Sequence, residues 1–276
     1  MKIFLAGAET SPYGNVLRKV GISNVLMSFF TIGNRNKARI INTLSGFKNI
    51  FMDSGGFTAR VRGKDIDIHK YAKFLLEYKD YLFCYANLDQ KTTEATLKNQ
   101  EILESYGLHP LPVFHRDEWE HRRLDLLNNY MEKNDYIALG GVAGSYSSKE
   151  YVNAYLDWCF HHILKFKGKK IKVHGFGMTS PSILLKYPFY SVDSTSWIAG
   201  GRYGEVLKLK DFGLGFKRLN YKKNKDIIMK NFFNAEKLLN NKDVQKDRDL
   251  HNVKIYIKLQ DLITRVWEKR GVTWKD

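Results

Sequence analysis

The sequence predicts an α/β protein built on a (β/α)₈ TIM-like barrel, followed by a basic and mainly helical C-terminal extension. Eight short apolar runs rich in β-forming residues alternate with helix-like stretches, the pattern of a parallel sheet with crossover helices. Polar residues or glycine pairs follow six consecutive runs, and active sites of such barrels lie at the carboxyl ends of the strands. The chain has 276 residues, enough to bury the core of one large domain.

The predicted strands share Val, Ile, Leu and aromatic residues and span residues 3–8, 25–30, 50–52, 81–88, 111–114, 136–139, 171–173 and 189–192. Apolar residues at helical spacing predict helices over 68–79, 93–106, 119–132 and 148–166, the last capped by Ser148. An open doubly wound sheet is the alternative. It would concentrate ligand contacts at one switch point, so the spread of polar residues over six strand ends favours the barrel.

The predicted catalytic barrel covers residues 1–210, and the extension covers residues 211–276 and packs on it. Residues 205–210 alternate like a strand, residues 211–213 resemble a turn, and residues 240–249 are typical of a polar loop before the last helix. One catalytic domain with an extension is therefore expected rather than two independent domains.

The charge balance favours a polyanionic partner. Subtracting 29 acidic from 45 basic side chains gives a net charge of +16, and nucleic acid is the obvious candidate. Lysines that only solvate the surface are the alternative. The cluster at Lys222 and Lys223 is a candidate contact for a phosphate backbone.

Other composition features exclude several classes. No segment reaches the roughly 20 apolar residues that span a bilayer, and the first residues lack a secretory apolar stretch, so a cytoplasmic protein without membrane contact is expected, in the host cytoplasm if phage-encoded. Cys84 and Cys159 are too few for a disulfide framework or a zinc cage of cysteines, and free buried thiols are expected.

The segment Asp53-Ser54-Gly55-Gly56-Phe57 is the most informative motif. It follows the apolar run 50–52, so a carboxylate stands where a strand ends. The glycines let a flat ligand approach the main chain, and Phe57 offers a ring for stacking. Asp193 is a second acid after an apolar strand. Two such carboxylates can divide nucleophilic and acid/base work.

The placed motifs resemble those of the tRNA-guanine transglycosylase superfamily, most of all its DpdA-type DNA 7-deazaguanine transglycosylases of bacteria and phages. Four segments carry the resemblance in the family order, over roughly residues 49–204. They are Asp53-Ser54-Gly55-Gly56-Phe57, Gly140-Gly141-Val142-Ala143-Gly144, His174-Gly175-Phe176-Gly177 and Val192-Asp193-Ser194.

The resemblance implies a base exchange on a nucleic acid. Asp193 would attack the anomeric carbon of the sugar and form a covalent glycosyl ester, while Asp53 would move protons to and from the bases. Asp89 would accept hydrogen bonds from the Watson-Crick edge of the base. The rings of Phe57 and His174 would lie on the two faces of the base. The residues assigned to the base pocket are Ser54, Gly55, Phe57, Asp89, His115, Gly140, Gly141, His174 and Gly175.

Departures from the family pattern are informative. Both cysteines precede Asp193, so the zinc site of the tRNA-acting members has no counterpart, and neither metal nor other cofactor is expected. His115 stands where the family has glutamine, which leaves base selectivity open. The family's Pro-Thr-Arg after the nucleophile is missing, although Arg202 is near enough in sequence to bind a phosphate. The missing zinc and the short chain favour the DNA-acting relatives.

The sequence thus predicts an enzyme that replaces guanine in DNA with a 7-deazaguanine such as preQ0. The expected partners are DNA and the small base, and a homodimer or partner subunit is left open. The alternatives are a tRNA-acting transglycosylase, an N-glycoside hydrolase, a metallohydrolase using His115, His174, Asp193 and Asp53, and a nucleic-acid-binding protein on a decayed barrel.

Overall fold

The computed structural model describes residues 1–10, 12–142, 148–198, 202–210, 215–232, 234–240 and 244–274. All eight predicted strands are present, with ends that differ from the prediction by a few residues. They are β1 Lys2–Ala6, β2 Asn24–Ser28, β3 Asn49–Asp53, β4 Leu82–Tyr85, β5 Val113–His115, β6 Tyr136–Gly140, β7 Lys172–Gly175 and β8 Ser191–Ser194.

The strands form one curled parallel sheet in the order β4-β3-β2-β1-β8-β7-β6-β5. Its two end strands approach each other at a parallel bridge between Ala86 and Leu111. There Leu111 N donates to Tyr85 O (2.8 Å) and Asn87 N donates to Leu111 O (3.1 Å). The predicted fold class, a TIM-like (β/α)₈ arrangement, is confirmed.

Helices follow the strands as crossover connections. They are α1 Tyr13–Lys19, α2 Phe29–Ile32, α3 Lys37–Leu44, α4 Gly56–Val61, α5 Ile68–Tyr78, α6 Thr93–Ser105, α7 Arg116–Glu120, α8 Leu124–Lys133, α9 Lys149–Lys165 and α10 Pro181–Lys186. Ser148 Oγ caps α9 by accepting from Tyr151 N (3.2 Å), as predicted. The single helix predicted over 119–132 was wrong, because a turn with Arg122 at φ +53° separates α7 from α8.

The two faces of the strands bury two different clusters. Alternate residues such as Ile3 and Leu5 pack against the helices. The residues between them point into the barrel and are Phe4, Ala6, Leu26, Phe51, Ala86, Leu111, Val113 and Ala138. Because successive side chains of a strand point to opposite faces and both faces are covered, the strands are continuous apolar runs rather than alternating ones.

The extension contains an antiparallel hairpin of β9 Glu205–Leu209 and β10 Phe216–Asn220, then α11 Lys225–Asn231, α12 Ala235–Asn240 and α13 Val244–Lys269. The hairpin joins residues on both sides of the predicted boundary at residue 210. The turn predicted at 211–213 lies outside the described residues.

The polar loop predicted over 240–249 is wrong from residue 244, where α13 begins. Polar residues there are buried in tertiary contacts. Arg248 is 4% exposed, its Nε donates to Leu238 O (2.9 Å), and its guanidinium lies 3.5 Å from the centre of the Tyr221 ring. The polarity that suggested a loop therefore serves the contact between α13 and the hairpin.

None of the described helices combines the length and the apolarity needed to cross a bilayer.

Candidate active site

Titratable side chains cluster where the strands end. Asp53 is the last residue of β3, His115 is the last residue of β5, and Asp193 is the penultimate residue of β8. Asp89 follows β4 in the connection to α6. In parallel strands wound into a barrel these ends lie at one mouth. Asp89 pairs with His115, Asp193 lies beside His174, and the charges of Asp89 and Asp193 act on Asp53.

Asp53 is partly buried and accepts a hydrogen bond from Gly55 N at Oδ2 (3.1 Å). Burial raises the pKa of Asp53 to about 7, and the negative charges of Asp89 and Asp193 add to the increase. The Gly55 N–H opposes the shift because it stabilises the ionised form. Asp53 is therefore a carboxyl group that can hold or release a proton near neutral pH.

The turn after Asp53 depends on Gly55. This residue has φ +81°, and a Cβ there would lie 2.4 Å from Ser28 Oγ and 2.5 Å from Phe30 Cβ. Ser54 is buried, its carbonyl accepts from Phe30 N (3.2 Å), and its Oγ accepts from Gly56 N (3.4 Å). The contacts of Ser54 fix the backbone of the turn, so its observed role is structural.

Phe57 lies at the start of α4 with 65% of its surface exposed. A large apolar side chain with that exposure beside a polar mouth is available to contact a ligand. The structure leaves its ring free, which is compatible with the stacking role predicted for it.

Asp89 and His115 form an ion pair, with His115 Nε2 2.9 Å from Asp89 Oδ2. Burial alone would lower the pKa of His115, but the charges of Asp89 and Glu118 outweigh it and raise that pKa to about 9. Glu118 also accepts from His115 N at Oε2 (2.6 Å) and so holds the start of α7. His115 is therefore an imidazolium at neutral pH.

The second carboxylate oxygen of Asp89 is buried, and no hydrogen-bond donor among the described residues reaches it. Buried acceptors in native proteins are normally satisfied, so a vacant one at a barrel mouth indicates a place for a ligand donor. The backbone of Asp89 is fixed from the other side, since Arg60 Nη1 donates to its carbonyl (2.7 Å).

The glycines at the end of β6 make room for this pair. A Cβ on Gly140 would lie 3.2 Å from His115 Cδ2 and 3.0 Å from Val113 Cγ1. Gly141 has φ +80°, and a Cβ there would lie 3.0 Å from Arg116 N. Both glycines therefore allow close packing against β5 and the first residue of α7. Residues 143 and 144 of the same motif lie outside the described residues.

His174 lies deeper than predicted, at 0% exposure. Its ring packs against Phe51 and Phe176, each with a centroid 4.5 Å away, and Nδ1 is hydrogen-bonded to Ser191 Oγ (2.7 Å). Burial lowers the pKa of His174, which favours the neutral ring. A ring enclosed in this way has no open face, so the stacking role predicted for His174 has no support in this arrangement.

Asp193 is 9% exposed and is held from two sides. Gly177 N donates to Asp193 Oδ1 (2.8 Å), and His174 Nε2 lies 3.4 Å from the same oxygen. The loop that supplies Gly177 needs a glycine at 175, because a Cβ there would lie 2.7 Å from Phe189 Cε1. The Gly177 amide thus orients the carboxylate, and the His174 ring lies beside it with Nε2 buried and without a hydrogen-bond partner among the described residues.

Glu9, after β1, belongs to the same neighbourhood and was missed in the sequence. Burial raises the pKa of Glu9, its carboxyl accepts from the backbone of Ser28, and its charge in turn raises the pKa of Asp53. Ser28 is the register partner of Asp53 in the β2–β3 pair. The available signal was an acid just after the first apolar run, the same signal that identified Asp53.

The three predicted phosphate contacts lie together. Arg202, Lys222 and Lys223 are exposed at the open end of the β9–β10 hairpin. There Tyr221 N donates to Gly204 O (2.9 Å), which joins the two segments. This gives a local cationic surface on the chain that follows β8.

Within the described residues, no group of three or more His, Cys, Asp or Glu side chains has the geometry of a metal site. The metallohydrolase alternative therefore has no ligand set in that part of the chain.

Fold and site together define a TIM-like (β/α)₈ protein whose barrel mouth gathers three aspartates and an ion-paired histidine. In comparisons with known proteins, no protein-family model and no curated protein matches this chain.

Proposed function

We propose that this protein is a base-exchange transglycosylase that replaces guanine in DNA with a 7-deazaguanine through a covalent aspartyl-glycosyl intermediate. The observation that carries the proposal is the pairing of two unlike aspartates at the mouth. Asp193 is oriented by Gly177 N–H and lies 3.4 Å from His174 Nε2, while burial and neighbouring charge raise the pKa of Asp53 to about 7. When two carboxylates lie in different environments, their pKa values differ, so one can act as the nucleophile and the other as the acid/base group.

In the first half-reaction, a carboxylate oxygen of Asp193 forms a bond to the anomeric carbon as the bond from that carbon to the base nitrogen breaks. The electron pair leaves with the base, and Asp53 supplies the proton that neutralises it. In the second half-reaction, the incoming base loses its proton to Asp53 and attacks the same carbon, and the ester bond to Asp193 breaks. The proton inventory of Asp53 is restored, so no cofactor is consumed.

The vacant Asp89 oxygen and the protonated His115 ring support recognition of a base with mixed hydrogen-bonding groups. Asp89 Oδ1 can accept from an N–H group, and a cationic histidine can donate to a carbonyl or ring nitrogen. Guanine and 7-deazaguanines present both kinds of group. The exposed Phe57 ring is available to stack on such a base.

A nucleic-acid substrate is supported by the net charge of +16 and by the surface of Arg202, Lys222 and Lys223. The base must leave its stack to reach the mouth, which a distorted or single-stranded substrate makes easier. DNA is favoured over tRNA because no cysteine follows Asp193 to supply the zinc site of the tRNA-acting relatives.

The test incubates purified protein with radiolabelled preQ0 and with duplex DNA, single-stranded DNA or tRNA, and counts label retained in polymer. Label in DNA is expected for the wild type. Asp193→Asn should abolish both label and the covalent protein–DNA adduct while leaving binding to DNA intact, because it removes the nucleophile but not the basic surface. Asp65→Asn, at an exposed loop position, is the matched control and should retain full activity.

The remaining outcomes separate the alternatives. Label in tRNA alone would move the protein to the tRNA-acting branch. Release of guanine without incorporation would identify an N-glycoside hydrolase. An Asp193→Asn variant as active as Asp65→Asn would reject the covalent mechanism, and tight binding with no chemistry would identify a nucleic-acid-binding protein.

A further inference from the structure

A cavity of about 460 Å³ lies beside the mouth, between the loop after β1 and helix α3. Its charged lining residues are Glu9, Arg18, Arg35 and Arg39. We propose that this cavity binds the phosphate group of a nucleotide. This cavity is separate from the site of the three aspartates. Its volume is within the range of small-ligand pockets and fits one nucleotide unit.

Arg18 forms the rigid wall of the cavity. Its Nη2 donates to the carbonyl oxygens of Asn42 (3.0 Å) and Thr43 (2.8 Å), and its Nε donates to Ser45 O (3.1 Å). Its hydrogen-bond partners within the described residues are all neutral, so these contacts fix the guanidinium in place without cancelling its charge. A fixed cation with uncompensated charge favours an anionic ligand.

Arg35 and Arg39 supply the adaptable side of the cavity. Arg35 is partly exposed, and its Nη1 donates to Thr43 Oγ1 (3.2 Å). Arg39 is exposed, and its guanidinium has no hydrogen-bond or ion-pair partner within the residues that the structure describes. Planar guanidinium groups with free N–H donors match the oxygens of a phosphate. Three arginines face one acid here, so the site is net cationic.

Glu9 forms the inner wall toward the barrel. Its Oε2 atom is buried and has no hydrogen-bond partner among the described residues. A ligand that fills the cavity would thus carry an anionic group at the arginine end and a hydrogen-bond donor at the Glu9 end. A nucleotide has both, since its phosphate is anionic and its sugar hydroxyl or base amino group can donate.

The position of the cavity connects it with the mouth. The Glu9 carboxyl accepts from the backbone of Ser28, and Ser28 is the register partner of Asp53. If the phosphate belongs to a polynucleotide, which rests on the proposed function, the cavity would hold a backbone phosphate near the base at Asp53. If it belongs to a free nucleotide, the site is an independent one. The chemistry that recognises the phosphate is the same in both cases.

The experiment measures binding of a fluorescent single-stranded deoxyoligonucleotide at several salt concentrations, and separately binding of deoxyguanosine 5′-monophosphate with deoxyguanosine as the uncharged comparison. The test variant is Arg35→Ala/Arg39→Ala. The control Lys79→Ala/Lys133→Ala removes the same charge from exposed positions just before β4 and at the end of α8, at the opposite end of the barrel. Arg35→Lys/Arg39→Lys keeps the charge and tests for rescue.

For a backbone phosphate, the test variant should bind the oligonucleotide about tenfold more weakly, and its salt slope should fall by about 1.4, the value for two lost contacts to a single strand. For a free nucleotide, the wild type should bind the monophosphate better than deoxyguanosine. The test variant should then lose binding of the monophosphate and keep that of the oligonucleotide. Either result, with partial rescue by the lysine variant, supports the site.

The proposal is overturned if the test variant matches the Lys79/Lys133 control with both probes. These readouts need no base exchange, so they stand apart from the proposed function. A protein that binds through the cavity but incorporates no preQ0 would retain this inference and lose the transglycosylase.

Discussion

The two histidines of the site differ in charge although both are buried at strand ends. His115 faces Asp89 and Glu118, and these acids raise its pKa to about 9. His174 is enclosed by Phe51, Phe176 and a serine hydroxyl with only Asp193 as a neighbouring acid, and burial outweighs that charge and lowers its pKa. Both rings are buried, so the difference in their charge follows from the two carboxylates that face His115 against the one beside His174. The result is one cationic ring paired with Asp89 and one neutral ring beside Asp193.

This contrast predicts two opposite titrations. By NMR of the ring protons, the His115 signal should titrate near pH 9, and the His174 signal should titrate below the ordinary value of 6.5. His115→Gln identifies the first signal among the eight histidines, and contacts with Phe51 and Phe176 identify the second. A His115 signal that titrates at or below 6.5 contradicts the ion pair with Asp89.

The raised pKa of His115 also predicts how the stability of the protein depends on pH. The folded-state pKa of His115 is above its ordinary value, so its contribution is fully present below about pH 6.5 and is lost as pH rises through about 9. His115→Gln should therefore lower the free energy of unfolding by about 3 kcal/mol at the acid side of this window, and the difference should shrink toward the alkaline side. Urea unfolding of the wild type and the variant between about pH 6.5 and 9 measures this difference. A difference that does not change with pH would argue against titration of His115 in the pair with Asp89.

At the scale of elements, the connection from β3 to α4 shows how a turn positions the site. Gly55 takes φ +81° and packs its α-carbon against Ser28 and Phe30. Its amide also binds the Asp53 carboxylate. The conformation of this glycine thus fixes the direction of the carboxylate and the start of α4 together.

Gly55 can be compared with Gly63, which has φ +61° but open space around its α-carbon. Gly63→Ala should cost about 1 kcal/mol of stability through backbone strain alone. Gly55→Ala adds clashes at 2.4 and 2.5 Å and should cost at least about 3 kcal/mol. Chemical denaturation of both variants measures the difference. Equal losses would mean that the turn relaxes and that packing at Gly55 does not hold the site.

Strands were predicted more reliably than helices because their signal is local. Continuous apolar runs such as 50–52 and 136–139 mark strands that are buried on both faces. The short helices α2 and α4 have too few residues for a helical period to be visible, and they form where tertiary contacts hold them. Residues 244–249 have a different cause: their polar side chains hide the apolar period of α13, so the sequence predicts a loop where the helix begins.

At the scale of the whole molecule, α13 connects the extension to the barrel. Asn252 is fully buried and makes hydrogen bonds with three backbone groups, from Leu207 N (2.9 Å), to Glu205 O (3.0 Å) and to Trp197 O (3.3 Å). Farther along the helix, Gln260 Oε1 accepts from Ile3 N of β1 (2.7 Å). One helix therefore contacts the hairpin, the chain after β8 and the first strand.

Asn252→Ala leaves these three buried backbone groups without partners and should lower the free energy of unfolding by about 2–4 kcal/mol. Because α13 spans both parts, barrel and extension should still unfold in one transition. Asn129→Ala, at an exposed position of α8, is the control and should change stability by less than about 0.5 kcal/mol. Tryptophan fluorescence and circular dichroism during urea unfolding measure both. Two separate transitions in the wild type would contradict the coupling.

The sequence by itself determined the eight strands, their alternation with helices and the acids Asp53, Asp89 and Asp193 at or just after strand ends. These are local properties, since a strand and the residue that follows it are neighbours in the chain. Only the tertiary structure decided the approach of the sheet ends at Ala86 and Leu111, the pairing of Asp89 with His115, the burial of His174 and the cavity at Glu9. Each depends on how the curled sheet brings together residues that are distant in the chain, and the protonation of Asp53 and His115 follows from that proximity.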